Sequence, residues 1–162
     1  MAKKRKQELV TRVIVGTREY GIGSVLFRHA VGEIIGVNVT DMECLGIIYF
    51  KGIVKPSQLS QYTGLSSGAT TAMLDRLEKG GLIERRPNPQ DRRGVFIVPT
   101  KNQTTEKVGV LFASVRKAQD AFVSGYSEKE LELLADFFNQ AVIMWKEERE
   151  KLQSKLGNKK RK

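Results

Sequence analysis

Two short helical stretches joined by a glycine turn, followed at once by a strand-turn-strand pattern, constrain this chain more than any other feature. Lys55-Pro56 opens the first stretch, with Pro56 suited to a first helical turn and Leu59 and Tyr62 at inward positions. Thr63-Gly64-Leu65 is the turn. Ser66 caps the second stretch, which ends at Lys79-Gly80-Gly81, where glycine is the expected terminator. That order is the signature of a helix-turn-helix. Residues 82–86 and 95–98 then read as strands around Pro87-Asn88-Pro89-Gln90-Asp91-Arg92-Arg93-Gly94, a β-hairpin with a long basic tip. Pro99 ends it.

Longer helices flank this unit. Residues 8–35 carry an imperfect apolar stripe of Val13, Ile14, Tyr20, Leu26, Phe27 and Ile34. Gly16, Gly21, Gly23 and Gly32 weaken that helix, and a kink or break near residues 21–23 is expected. After a connector at Gly36-Val37-Asn38-Val39, Thr40-Asp41-Met42-Glu43 reads as a capping box. The helix that follows stops near Lys51-Gly52. A fifth helix begins at Thr100, with Gln103 at the capping-box position and Val108, Leu111, Phe112, Val115, Ala118 and Phe122 at helical spacing. Ser127-Glu128-Lys129-Glu130 opens a sixth over residues 128–156, with Leu131, Leu134, Phe138, Val142, Trp145 and Leu152 inward. The predicted architecture is mainly α with a small β-hairpin wing. Long amphipathic helices at both ends usually pack on each other or on a second copy, so a homodimer is expected. The organisation read from the sequence is a basic arm (1–7), a dimerisation helix and connector (8–39), a winged helix-turn-helix lobe (40–100), C-terminal dimerisation helices (101–156) and a basic tail (157–162).

Charge narrows the partners. The 162 residues carry a net +10, of which Lys3-Lys4-Arg5-Lys6 and Lys159-Lys160-Arg161-Lys162 hold +8. The surplus points to a polyanion, either nucleic acid or an anionic surface. The runs themselves read either as solubilising ends or as arms that grip phosphates without reading sequence. No stretch approaches the ~18 uninterrupted apolar residues of a membrane span, and no signal peptide is visible, so a cytoplasmic protein is expected. The lone cysteine, Cys44, excludes an intramolecular disulfide and reads as a buried small hydrophobe. One histidine, one cysteine and no phosphate-cradling glycine motif leave no metal cluster, no cofactor and no constellation able to support catalysis.

At 3.6 residues per turn, the fourth helix places Thr70, Met73, Leu74 and Leu77 on one face. Ser67, Gly68, Thr71, Ala72 and Arg76 fall toward the other. Small polar residues at a helix N-terminus allow close approach to base edges, and the hydroxyls of Ser67, Thr70 and Thr71 are within reach of phosphates or bases. The plain alternative is a capped surface helix, since Ser66 needs no ligand to explain it. At the hairpin tip, Asp91 is positioned to hold the Arg93 guanidinium, with Arg92 a phosphate contact. The plain alternative there is a surface turn with an ordinary ion pair.

Gly64-Leu65-Ser66-Ser67-Gly68-Ala69-Thr70-Thr71, then Leu74-Asp75-Arg76-Leu77-Glu78-Lys79-Gly80-Gly81-Leu82-Ile83, then Arg86 and Asp91-Arg92-Arg93, resemble the MarR family of winged helix-turn-helix transcriptional regulators. The motifs cover residues 56–100, and helix order extends the resemblance over residues 8–156. The resemblance implies a DNA-binding homodimer built by the first, fifth and sixth helices. It implies a wing pair at Asp91 and Arg93, and groove-facing positions at Ser67, Gly68, Ala69, Thr71 and Ala72; helix and loop position add Ser66, Thr70, Arg76 and Arg92 to the candidate DNA contacts. It also implies a small-molecule effector bound between the dimer helices and the DNA-binding lobe, where Tyr20, His29 and Tyr49 are the candidate lining. Gly68, Ala69 and Ala72 stand where the family often has larger polar residues, so methyl contacts and DNA shape would carry more of the specificity. The function this implies is repression at a pseudo-palindromic site. Two readings remain beside it: an architectural DNA-binding protein dominated by its basic ends, and a winged helix used only for protein contacts.

Overall fold

A computed structural model describes the fold of residues 2–159, and the side chains of these except residues 2, 91–93, 103, 104 and 156–159. The elements run α1 (Ala2–Ile35), α2 (Val39–Lys51), α3 (Pro56–Thr63), α4 (Ser67–Lys79), β1 (Ile83–Asn88), β2 (Asp91–Pro99), α5 (Gln103–Val123) and α6 (Glu128–Lys159). They fall into two compact units, residues 1–112 and 113–162.

The first unit holds the core. Met42, Leu45 and Ile48 of α2, Leu59 of α3, Met73, Leu74 and Leu77 of α4, and Ile83 and Ile97 of the hairpin are all but inaccessible to solvent. Val31 of α1 and Val108 of α5 close it from the other side. Phe27 meets Phe112 edge to face, with centroids 5.5 Å apart. The first turns of α5 therefore belong to this unit, because Val108, Leu111 and Phe112 share one helical face. β1 and β2 pair antiparallel from Ile83↔Pro99 to Asn88↔Asp91. Val54 of the α2–α3 linker makes an isolated antiparallel bridge to Ile97 of β2.

Several local expectations change. α1 is one unbroken helix starting at Ala2, so residues 3–7 are helical, and glycines 21 and 23 do not interrupt it. Proline is absent from it, and each glycine costs only about 1 kcal/mol relative to alanine, too little to break a helix this long. α2 is capped by Asn38, whose Oδ1 accepts from the Asp41 N–H at 2.9 Å. The Thr40–Glu43 capping box is not formed, since Glu43 is drawn instead to Arg28 of α1 at 2.8 Å. α5 starts with Asn102 and Thr105 exchanging hydrogen bonds at 3.0 Å, rather than at Thr100; the side chain of Gln103 is not among those described. The hairpin strands run to the tip, leaving only Pro89-Gln90 between them, with the register shifting at Pro87/Asn88. Residues 91–93 thus stand in β2 rather than on a long loop.

The end of α1 is closely packed. Gly36 adopts φ 71°, and the Val37 N–H donates to the Gly32 carbonyl at 2.8 Å. A Cβ on Gly32 would come within 2.7 Å of the Val37 carbonyl oxygen. Gly46, also inside a helix, has open space around it. Intrinsic propensity favours alanine at both positions, yet only Gly46→Ala should raise the melting temperature, by an amount corresponding to about 0.5–1 kcal/mol. Gly32→Ala should lower it. Thermal unfolding of the two variants at one protein concentration checks this difference in sign.

In the second unit, half of the predicted capping box forms at the start of α6: Glu130 accepts from the Ser127 N–H at 2.8 Å, and the Ser127 hydroxyl donates to the same carboxylate at 2.6 Å. These bonds hold the Glu130 carboxyl below the usual range. Phe138, Val142, Trp145 and Leu152, expected to point inward, are exposed within the single chain. The same holds for Val13, Ile14, Tyr20 and Leu26 of α1, whose inward packing is confined to Phe27, Val31 and Ile35 near its C-terminus.

Candidate nucleic-acid interface

The lobe is assembled around α4. Gly64 ends α3 with φ 75°, a left-handed conformation that glycine adopts without strain, and this lets the chain turn within three residues into α4. The Ser66 hydroxyl then accepts from the Ala69 N–H at 3.2 Å, as predicted for an N-cap. Met73, Leu74 and Leu77 anchor the inner face. Ser67, Gly68, Ala69, Thr71, Ala72 and Arg76 lie on the outer, exposed face. This surface is low and weakly polar. Nothing stands within 4 Å of where a Cβ on Gly68 would be, and the Thr71 hydroxyl donates back to the Ser67 carbonyl at 3.0 Å. Its lone pairs and methyl group remain available outward.

Thr70 does not belong to that surface. It is 1% exposed, and its Oγ1 shares a hydrogen bond with Ser60 Oγ of α3 at 2.9 Å. The expectation that its hydroxyl reaches DNA is corrected: Thr70 occupies the core face and locks the two helices of the turn together. Arg76 is exposed but engaged. Its Nε and Nη2 donate to the two carboxylate oxygens of Asp41, both at 2.7 Å, and Asp41 is 2% exposed. That hydrogen bonding raises the Arg76 pKa further above its usual value.

α4 is also tied to the hairpin. Arg85 of β1 reaches back to both Asp75, at 2.6 Å, and Glu78. Its backbone N–H donates to Glu78 as well, at 3.1 Å. Burial works against the Arg85 charge, but the hydrogen bonds to Asp75 and Glu78 outweigh it and raise its pKa. A guanidinium held by two carboxylates and a packed strand fixes the hairpin against α4. Asp91, Arg92 and Arg93 follow at the start of β2; their side chains, and with them the wing pair, lie outside the described residues.

These ion pairs escaped sequence reasoning. Asp41 and Arg76 stand 35 residues apart. The available signal was Asp41 itself, an acid among apolar residues of α2 with no cation of opposite sign one turn away.

The three candidate effector residues stand on two helices, Tyr20 and His29 on α1 and Tyr49 on α2. Tyr20 is 60% exposed on α1. His29, also exposed, faces Glu33 one turn on at 3.5 Å. The Tyr49 hydroxyl is buried without a hydrogen bond of good geometry, and burial raises its pKa against the opposing effect of nearby Thr105. An open depression of about 490 Å³ is lined by Ile34, Glu106, Lys107, Val110 and Leu111, and includes none of the three. Cys44 is buried, and desolvation, with Asp41 and Glu43 nearby, pushes its thiol up to about 11. Such a thiol is protonated and unreactive at neutral pH.

The MarR family model matches residues 37–95, from just before α2 into β2. An HTH-type transcriptional regulator of Bacillus subtilis, YcgE, is 33% identical over 150 residues, covering 93% of this chain and 97% of its own length. The chain belongs to the MarR family. It is thus a DNA-binding transcriptional regulator, in a family of regulators rather than enzymes. Among solved structures, the transcriptional regulator Tm0710 of Thermotoga maritima superposes with a TM-score of 0.59 at 23% identity, covering 80% of this chain and 91% of that one. Apo MarR of Escherichia coli superposes with a TM-score of 0.51 at 22% identity, over 80% and 93% respectively. These likenesses establish the MarR winged-helix fold. No described helix is long and apolar enough to cross a membrane.

Proposed function

We propose that this MarR-family chain works in the cytoplasm as a homodimeric repressor of a pseudo-palindromic DNA site. Each subunit would present the outer face of α4 to a major groove and the start of β2 to the adjacent minor groove. The two recognition helices would sit about one DNA turn apart, ~34 Å. The observation that carries this reading is the construction of α4. Its inner face is buried, its outer N-terminal face is small and open, and Arg85 joins it to the wing. A small, open N-terminal face admits close approach to base edges, and its fixed link to the hairpin lets one docking event set both contacts. In this reading Ser66, Ser67, Gly68, Ala69, Thr71 and Ala72 meet the groove, Arg93, oriented by Asp91, enters the minor groove, and Arg92 contacts a phosphate. The dimer is supported by the exposed apolar residues of α1 and α6, among them Leu9, Val13, Leu133, Val142 and Trp145. A monomer rarely leaves so much apolar surface in water. A small-molecule effector would lower DNA affinity by favouring a different spacing of the two lobes.

Selection of sites from a random DNA pool, followed by a salt titration against scrambled DNA, tests this. The expected result is an enriched palindrome preferred by ~10³ or more. Ser67→Glu should abolish that preference by placing a carboxylate against phosphates and base acceptors. Arg93→Ala should weaken binding by about tenfold or more while leaving the fold intact. Equal binding to all sequences, collapsing as salt rises, would instead make this an architectural protein.

A further inference from the structure

The exposed apolar surface of α1, α5 and α6 is accounted for by the proposed dimer. One patch is not. Between Val39 and Pro99, the large apolar side chains left most open are Phe50, 84% exposed, and Ile53, 62% exposed, with Tyr62 at 44%. Phe50 and Tyr62 are bridged, and Ile53 follows Phe50 by three residues. Lys51 Nζ lies 5.4 Å from the Phe50 ring centroid and 5.7 Å from that of Tyr62, so one ammonium joins the end of α2 to the end of α3. Lys55 stands 5.9 Å from the Phe96 ring, next to the Val54–Ile97 bridge in sequence. The backbone that carries the patch is pinned. Gly52 turns the chain at φ 76° and donates to Ile48 at 2.8 Å, and Val54 exchanges two hydrogen bonds with Ile97.

The charge of this surface is one-sided. Every acid between residues 40 and 90 is already engaged by an arginine: Glu43 by Arg28, Asp41 by Arg76, Asp75 and Glu78 by Arg85, Glu84 by Arg86. Among the described residues, Lys51 and Lys55 have no carboxylate within ion-pair distance. We propose that Phe50, Lys51, Ile53, Lys55 and Tyr62 form a docking site for an acidic segment of a partner protein carrying apolar anchors. Carboxylates on that segment would meet the two lysines, and an apolar or aromatic side chain would cover Phe50 and Ile53. Phenylalanine and tyrosine are enriched at interface centres, and the two lysines suit the charged rim around them. A phosphate backbone would satisfy the lysines but leave Phe50 and Ile53 in water, which is why a protein segment fits better than DNA. The patch is small and largely preformed, so binding would be weak and readily reversible. The proposal is independent of how α4 reads DNA.

The test uses the full-length protein, 15N-labelled, titrated with a short synthetic peptide in which glutamates flank a Leu-Trp pair, and with its counterpart carrying lysines for the glutamates. The acidic peptide should shift the amides of residues 50–55, 62 and 96, and the basic one should not. Phe50→Ser and Lys51→Glu, both at exposed positions, should each weaken the acidic peptide at least tenfold with unchanged melting and unchanged DNA affinity. Failure of the acidic peptide to shift these amides at millimolar concentration overturns the proposal, as does equal binding of the basic one. If a DNA duplex shifts the same amides and Lys51→Glu lowers both DNA affinity and its salt slope, the patch belongs to the DNA interface and the proposal fails.

Discussion

Leu74→Ala should cost about 3 kcal/mol of stability, within the range of roughly 2–5 kcal/mol found for leucine truncation in closed cores. Leu74 is 1% exposed and sits among Met73, Leu77 and the buried residues of α2, α3 and the hairpin. Those neighbours are themselves held, α3 by the Ser60–Thr70 hydrogen bond and β1 by Arg85, so the site has little freedom to collapse around the void. At this chain length the loss corresponds to a fall in melting temperature of about 6–12 °C. Thermal unfolding at one fixed protein concentration measures it, because a dimer would make the midpoint concentration-dependent. Lys79→Ala, at the exposed end of the same helix, should shift the midpoint by no more than about 2 °C. A comparable loss from both would mean that α4 is held by its surface charges and not by its inner face.

The second large effect should come from the Asp41–Arg76 pair, and its sign pattern is more informative than its size. Arg76 is half exposed, whereas Asp41 is buried. Arg76→Ala strands a carboxylate in the interior, the costly way to break such a pair. Asp41→Asn removes the charge and leaves Arg76 free to turn into water, so it should be the milder change. Adding Asp41→Asn to Arg76→Ala should recover part of the stability lost, since the stranded charge is then gone. The four proteins of this cycle, compared by chemical denaturation, decide the matter. If the double variant is less stable than Arg76→Ala alone, Asp41 contributes through something other than this pair. DNA affinity should follow stability across the cycle, because the pair joins the N-terminal turn of α2 to α4 and so sets the angle at which the outer face is presented.

What could be read without the fold was local. Pro56 at a first helical turn, Gly64 at the turn between α3 and α4, Ser66 as a cap and the Ser127–Glu130 pair each involve groups within four residues of one another. Their geometry follows from helix pitch alone. The burial of Met73, Leu74 and Leu77 followed from the 3.6-residue period, and that period also separated the outer face of Ser67, Gly68, Thr71 and Ala72 from the inner one. Thr70 shows the limit. Its position in the period marks it as core-facing and its hydroxyl marks it as a contact, and Ser60, on another helix, resolves the conflict by satisfying the hydroxyl inside.

Wherever two partners of equal local merit competed, the outcome was decided at a distance. Asn38 and Thr40 are both competent caps, and Asn38 caps α2 while Glu43, the second half of the alternative box, is taken by Arg28 of another helix. Gly32 looked like one more weak point in α1 until the chain folded back and brought the Val37 carbonyl against it. The length of the hairpin strands was hidden by Pro87 and Pro89, which resemble loop residues, although Pro87 pairs with Val95 in register. The sequence by itself determined the elements, their order, the buried face of α4 and the family. The tertiary structure decided which charges meet, which hydroxyl is spent in the core and which aromatic rings are left in water. Caps and periodicity act within one turn of a helix, whereas ion pairs and packing depend on the angles between elements, which no short-range pattern encodes.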